Sequence, residues 1–289
     1  MERGSVNSSR MKREALKRIP LRANPFLGLG QKVHHFLFAL FLFQFVLIWL
    51  GLWTGFPNFG NARWPEGLLL VLCAATTVAS LARRLPSQNV MLASFIIMVI
   101  AGIAHVLGAT IAIPFGPYIY GDRIGQLLFY PLPWAIPLIW LVAIFSSRGV
   151  ARLVMRPWRK TRSYGFWVMG LTVFLVVLFD LGLEPFATQI RHYWTWNPTN
   201  AGLFWYTTPW VNFLGWAATA VMILAFATPS LISKKPVKQP TDFAPLIIWL
   251  LVNALFLTGA MANHLWTASI VEAVGMAAAA IFAIRGGTW

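Results

Sequence analysis

The chain has a single cysteine, Cys73, among 289 residues, and it lies in an apolar run. A disulfide framework and a cysteine metal site are both excluded. Charge is also scarce, at 11% of residues, where a soluble domain carries about 25%. Acidic residues are the scarcest, eight against 23 lysines and arginines. Lysine is missing from every long apolar segment, so no buried amine can form a retinal Schiff base and a rhodopsin is excluded. Of the five histidines, only His34 and His35 are neighbours, and only His105 lies well inside an apolar run. That pattern provides neither the spaced clusters of a membrane di-iron enzyme nor paired axial haem ligands on two helices. No metal and no cofactor are expected.

What the chain has in abundance is apolar length. Hydrophobic residues make up 58% and the mean hydropathy is +0.67, the composition of an integral membrane protein. A span needs about 20 mostly apolar residues. On that criterion eight are expected, at 35–56, 67–82, 90–112, 127–146, 164–183, 208–232, 243–262 and 265–285. The fold class is therefore all-α, a polytopic membrane helix bundle. A basic tail, 1–34, precedes a single transmembrane domain, 35–289. The formal charge of +15 and a pI near 11.0 raise the question of nucleic acid, but a binder gathers charge on one surface beside stacking aromatics. Here the charge follows topology, and no nucleic-acid partner is expected.

Basic loops stay on the cytoplasmic side. Eight expected spans sort all but three of the 23 basic residues onto one face, the exceptions being Arg63, Arg123 and Arg191. Both termini are thus predicted to be cytoplasmic. The basic tail and the 152–162 loop either rest on anionic lipid headgroups or serve as solvated topology signals.

Against that background, three carboxylates inside or at the lip of apolar segments stand out: Asp180, Glu184 and Glu272. A carboxylate in hydrocarbon costs several kcal/mol unless it has a partner or a task. Asp180 and Glu184 are four residues apart, which on a helix places both on one face. Like charges that close resist double ionisation, so the pair is expected to retain a proton and to supply a general acid. Pro185 follows directly, and the alternative for Glu184 is that the span ends there with the side chain solvated at the interface. A structural ion pair or helix contact is the alternative for Glu272, and an interhelical hydrogen bond the alternative for His105. In the predicted topology these groups, with Asn212 and the loop residues Asp122, His192 and His264, lie toward the outer leaflet. Pro131, Pro133 and Pro137 are expected to kink the fourth span. The aromatic run from Arg191 to Trp216, with Trp194, Trp196 and Trp210, either forms an interfacial belt or lines a channel for a polyene whose cation its faces could stabilise.

Three stretches, PFGPYIYGDRIGQLLFYPLPWAIPLIW (114–140), DLGLEPFATQIRHYWTWNP (180–198) and TPWVNFLGW (208–216), resemble the membrane-embedded carotenoid biosynthesis protein family, which includes bacterial and archaeal hydratases of acyclic carotenoid ends. The likeness covers about 100 residues of the central chain in the same order. It implies a bacterial or archaeal cytoplasmic membrane, a carotenoid or related isoprenoid polyene as partner beside the membrane lipids, and addition of water across a terminal alkene to give a tertiary alcohol. Asp180 and Glu184 are then the expected acid/base pair, and His105 a water-orienting or proton-relaying group. Trp194, Trp196 and Trp210 become walls, and Tyr118, Tyr120 and Asn212 hydrogen-bonding supports. The family carries a glutamate where this chain has His105. That departure keeps a second class open, a non-catalytic pigment-binding subunit beside other carotenoid-pathway membrane proteins. A small-solute transporter is the third reading, and no internal repeat supports it.

Overall fold

The computed structural model describes residues 25–58, 62, 64–197, 202–232 and 241–289. The basic tail up to residue 24, Arg63, and Lys234, Lys235 and Lys238 lie outside them.

Among the described residues, eight helices are long and apolar enough to cross a membrane: α1 (Pro25–Thr54), α2 (Trp64–Ala82), α3 (Ser87–Ile111), α4 (Ala135–Val154), α5 (Tyr164–Pro185), α6 (Trp210–Ala227), α7 (Ala244–Ala262) and α8 (Trp266–Gly287). In hydrocarbon a backbone must satisfy its own polar groups, and the helix does so within one segment. The most apolar segments therefore become helices whatever their intrinsic preferences. α4 is the hub, packed against α2, α3, α5, α7 and α8. Its apolar window is 78% buried where no other exceeds 56%, which explains why it carries small and hydroxylated residues such as Ala143, Ser146, Ser147 and Ala151 toward its neighbours.

The turns gather at two ends. At one, Arg191 pairs with Glu66 at 2.7 Å and the Gly121 amide donates to the Tyr193 carbonyl at 2.8 Å. At the other, Asp242 accepts from Arg83 at 3.2 Å and from Arg84 at 2.9 Å, and Arg156 donates to Thr241 and to the Gly287 carbonyl. These basic residues fasten neighbouring turns to each other.

Three boundaries differ from expectation. The first helix begins at Pro25, ten residues before the expected span and inside the expected tail. The fourth span is shifted to Ala135–Val154. Pro131 and Pro133 do not kink it, because the chain before it forms a small hairpin, β2 (Leu127–Phe129) with β3 (Leu132–Pro133), and Pro137 falls in the first helical turn, where a missing N–H is tolerated. The fifth span does not stop at Glu184: α5 includes Pro185 and continues as a π-helical turn, Phe186–Ile190. Such turns absorb an extra residue within a continuing helix and occur often at functional sites.

Beyond that turn the chain returns across the bundle end. β1 (Tyr118–Tyr120) pairs antiparallel with β4 (Trp194–Trp196), setting Tyr118 opposite Trp196 and Tyr120 opposite Trp194. Side chains alternate along a strand, so YIY and WTW turn four rings inward while Ile119 and Thr195 face out, exposed. A second hairpin, β5 (Phe204–Trp205) with β6 (Thr208–Pro209), leads into α6.

Candidate active site

The four inward rings close over a small, almost wholly buried pocket. Glu184 lines it from α5, Asn212 and Trp216 from α6, His105 from α3 and Trp140 from α4, with Phe115 and the two-stranded lid above. Its volume is about 20 Å³. That is room for about one water molecule, which needs roughly 10–15 Å³ by this measure.

Glu184 is 1% exposed, so of the two alternatives that Pro185 left open, solvation at the interface is the one excluded. The helix runs on past Pro185, and the lid covers the carboxylate. Its Oε2 accepts from Trp196 Nε1 at 2.9 Å, Trp194 Nε1 at 3.2 Å and Thr208 Oγ1 at 2.8 Å. Asn212 Nδ2 donates to Oε1 at 3.1 Å and to Asp180 Oδ2 at 2.8 Å. One amide therefore bridges both carboxyl groups, as their four-residue spacing allows. Oε2 is saturated by three donors, so Oε1, which takes one, is the oxygen with capacity to exchange a proton. Asp180 is fully buried one turn deeper, does not line the pocket, and its Oδ1 has no hydrogen-bonding partner among the described residues.

His105 is fixed at both ring nitrogens. Trp140 Nε1 lies 2.8 Å from Nε2, and an indole N–H can only donate, so Nε2 is the unprotonated nitrogen. The ring proton is therefore on Nδ1, directed at Tyr120 Oη at 2.8 Å and Tyr118 Oη at 3.1 Å. The Tyr118 hydroxyl also donates to the His105 carbonyl at 3.1 Å. Burial pushes both phenols above their usual range, so they serve as neutral hydroxyls. Phe115 stacks on the imidazole at 4.5 Å. It fits because Gly108 and Gly215 flank it: a Cβ at either position would lie within 2.8 Å of the ring.

Of the residues singled out from sequence, the structure brings together His105, Tyr118, Tyr120, Glu184, Trp194, Trp196 and Asn212, with Asp180 behind them. Trp210 does not join them. It is 44% exposed and packs on Phe213, because as the first residue of α6 it points away from the face that carries Asn212 and Trp216. Asp122, His192 and His264 are exposed. Glu272 is 2% exposed on α8 and has neither an ion pair nor a hydrogen bond among the described residues; its carboxylate presses on Gly182. Sequence reasoning missed Trp140 and Trp216, which stack at 4.1 Å in the pocket wall. Both lie inside motifs already singled out, but an indole within an apolar run reads as packing until its partner is known. Among the described residues no three His, Cys, Asp or Glu side chains converge as a metal site.

A family model described as carotenoid biosynthesis protein matches residues 65–283. A relative from Haloarcula japonica named bisanhydrobacterioruberin hydratase is 26% identical over 124 residues, 42% of this chain and 39% of that protein. The match thus spans about two fifths of the relative's length. No solved structure matches.

Proposed function

The chain belongs to the carotenoid biosynthesis protein family, and we propose that it hydrates the terminal double bond of an acyclic carotenoid end group in a bacterial or archaeal cytoplasmic membrane. The observation that carries this reading is a carboxyl pair bridged by one amide, with Glu184 in the wall of an aromatic, water-sized pocket and Asp180 behind it. The likeness to a named hydratase supports the same class of reaction.

The chemistry requires a proton, a shielded cation and one water. Protonated Glu184 transfers its proton to the less substituted alkene carbon, leaving a carboxylate and a tertiary cation. The faces of Trp140, Trp216 and the lid indoles, all in the pocket wall, stabilise that cation. Water adds its oxygen to the cationic carbon and returns its surplus proton to Glu184, so acid and base are one group and nothing is oxidised or reduced. Asp180 is a positioning partner acting through Asn212. His105 holds the Tyr120 hydroxyl, which can orient the water; it is not the base, since Nε2 is occupied by Trp140.

Expression in a host that makes acyclic carotenes, followed by mass spectrometry of the extracted lipids, tests the reading. A gain of one water, absent with Glu184→Gln, is expected. Unchanged carotene recovered bound to the protein would favour the pigment-binding subunit instead. If both termini are cytoplasmic, as the basic residues predict, the pocket opens toward the outer leaflet, and a reporter after Trp289 will read inside.

A further inference from the structure

As it stands the pocket that holds the carboxylate has room for one water, and an isoprenoid end group enters it only by displacing side chains of its wall. A second cavity lies beside it. Its volume is about 570 Å³, within the 300–1,000 Å³ typical of ligand sites, and it runs between α1, α2, α4, α5 and α7. On α2 alone its lining extends from Trp64 to Cys73, about 14 Å along the helix axis at 1.5 Å per residue. It is a long space parallel to the helices.

Its chemistry is graded. The deeper wall is apolar and aromatic, with Phe41, Phe179, Val252 and Phe256, and the polar members Glu66, Arg123, Gln126 and Tyr193 lie toward the lid end. Leu68 and Val71 line it and are 40% and 44% exposed. Two residues line both spaces, Ile139 and Leu183. Each directly precedes a residue of the small pocket, Trp140 on α4 and Glu184 on α5. A ligand passing between these two side chains leaves the large cavity beside the carboxyl.

We propose that the large cavity holds the body of the polyene, and that its end group reaches the water-sized pocket past Ile139 and Leu183. This rests on the hydratase reading for the reaction at the end group, but the binding claim stands apart from it. The apolar wall recognises a long hydrocarbon, and the division of space keeps the reacting water away from the bilayer until the alkene arrives.

The test is to fill the cavity at two separate walls, with Val142→Phe on α4 and Val252→Phe on α7, and to titrate each purified protein with an acyclic carotene while following its visible absorption. Thermal melting in the same detergent establishes that each variant is folded. At least a tenfold loss of carotene affinity is expected in a variant that melts as the parent does. Undiminished affinity in both folded variants overturns the proposal. So does a phospholipid that co-purifies with the parent and is lost from both variants while carotene binding persists. Absorption reports binding without turnover, so the two readings fail separately. A protein that loses carotene on filling but never hydrates it retains the cavity assignment and loses the hydratase reading, whereas full hydration in both filled variants does the reverse.

Discussion

Glu184 and Glu272 are buried almost equally, at 1% and 2% exposure, in helices that pack against each other, yet their surroundings are opposite. Glu184 accepts hydrogen bonds from Trp194, Trp196, Thr208 and Asn212, drawn from the lid, the β5–β6 hairpin and α6. Glu272 accepts none among the described residues and rests on Gly182. Burial in a membrane makes any carboxyl a functional candidate, but burial does not separate these two. Convergent donors do, since fixing a carboxylate from several elements is what preorganises a proton-transfer group.

The largest expected effect breaks the comparison on the Glu184 side. Glu184→Gln keeps shape and removes the exchangeable proton, so hydration is expected to fall about 10² to 10⁴-fold, as for loss of a general acid. Carotene binding, read by absorption, is expected to persist. Asp180→Ala removes a partner of Asn212 behind the pocket and is expected to cost about tenfold to a hundredfold, from the roughly 1–3 kcal/mol lost when a buried polar group loses its partner. Equal losses at both positions would return Asp180 to direct chemistry.

A smaller effect separates the two contributions of the lid indoles. Each donates to Glu184 Oε2 and lines the pocket, where its ring is proposed to face the cation. Trp196→Phe removes the donor and keeps a face, so a loss of roughly tenfold in kcat is expected with little change in KM. Trp196→Leu removes both and is expected to lose more. If the two variants match, the face contributes nothing to the cation.

The fold and the site were legible to different depths. Eight apolar runs announced eight helices because length and hydropathy decide that outcome in a bilayer. The ends were less readable where proline chemistry depends on context, as at Pro133 in a hairpin and Pro185 inside a continuing helix. Asp180, Glu184 and Asn212 stood out because polar groups are rare in such segments. Trp140 could not, since its hydrogen bond to His105 joins residues 35 apart on two helices. Trp210 was overread for the complementary reason: aromatic density along a sequence says nothing about which ring faces inward.

Gly182 links the two glutamates, lying between Asp180 and Glu184 in sequence and carrying the Glu272 carboxylate against its Cα. A methyl group there collides with that carboxylate, so Gly182→Ala is expected to destabilise the bundle by about 1–3 kcal/mol, the usual cost of overpacking. Turnover per folded molecule is expected to fall less than fivefold, a bound set by the roughly 1 kcal/mol a small shift of α5 would take from the Glu184 contacts. Adding Glu272→Ala to Gly182→Ala removes the collision and is expected to restore the melting temperature of Glu272→Ala alone. Failure of that rescue would mean that the glycine is required for the α5 backbone itself.

The smallest expected effect is at Glu272. If its carboxyl has no task, Glu272→Gln is expected to leave turnover per folded molecule within about twofold, well below the loss assigned to a general acid. Glu272→Met goes further, because it removes both polar oxygens while keeping an unbranched side chain that can lie over Gly182. An unsatisfied buried polar group costs about 1–3 kcal/mol, so the methionine variant is expected to melt a few degrees higher than the parent, read by thermal unfolding in detergent. The opposite result has a clear meaning: a fall in turnover with glutamine as large as that of Glu184→Gln would show that Glu272 takes part in proton transfer although no donor fixes it. Convergent donors would then no longer distinguish the two glutamates, and the assignment of Glu184 as the sole proton-transfer group would fall with that distinction.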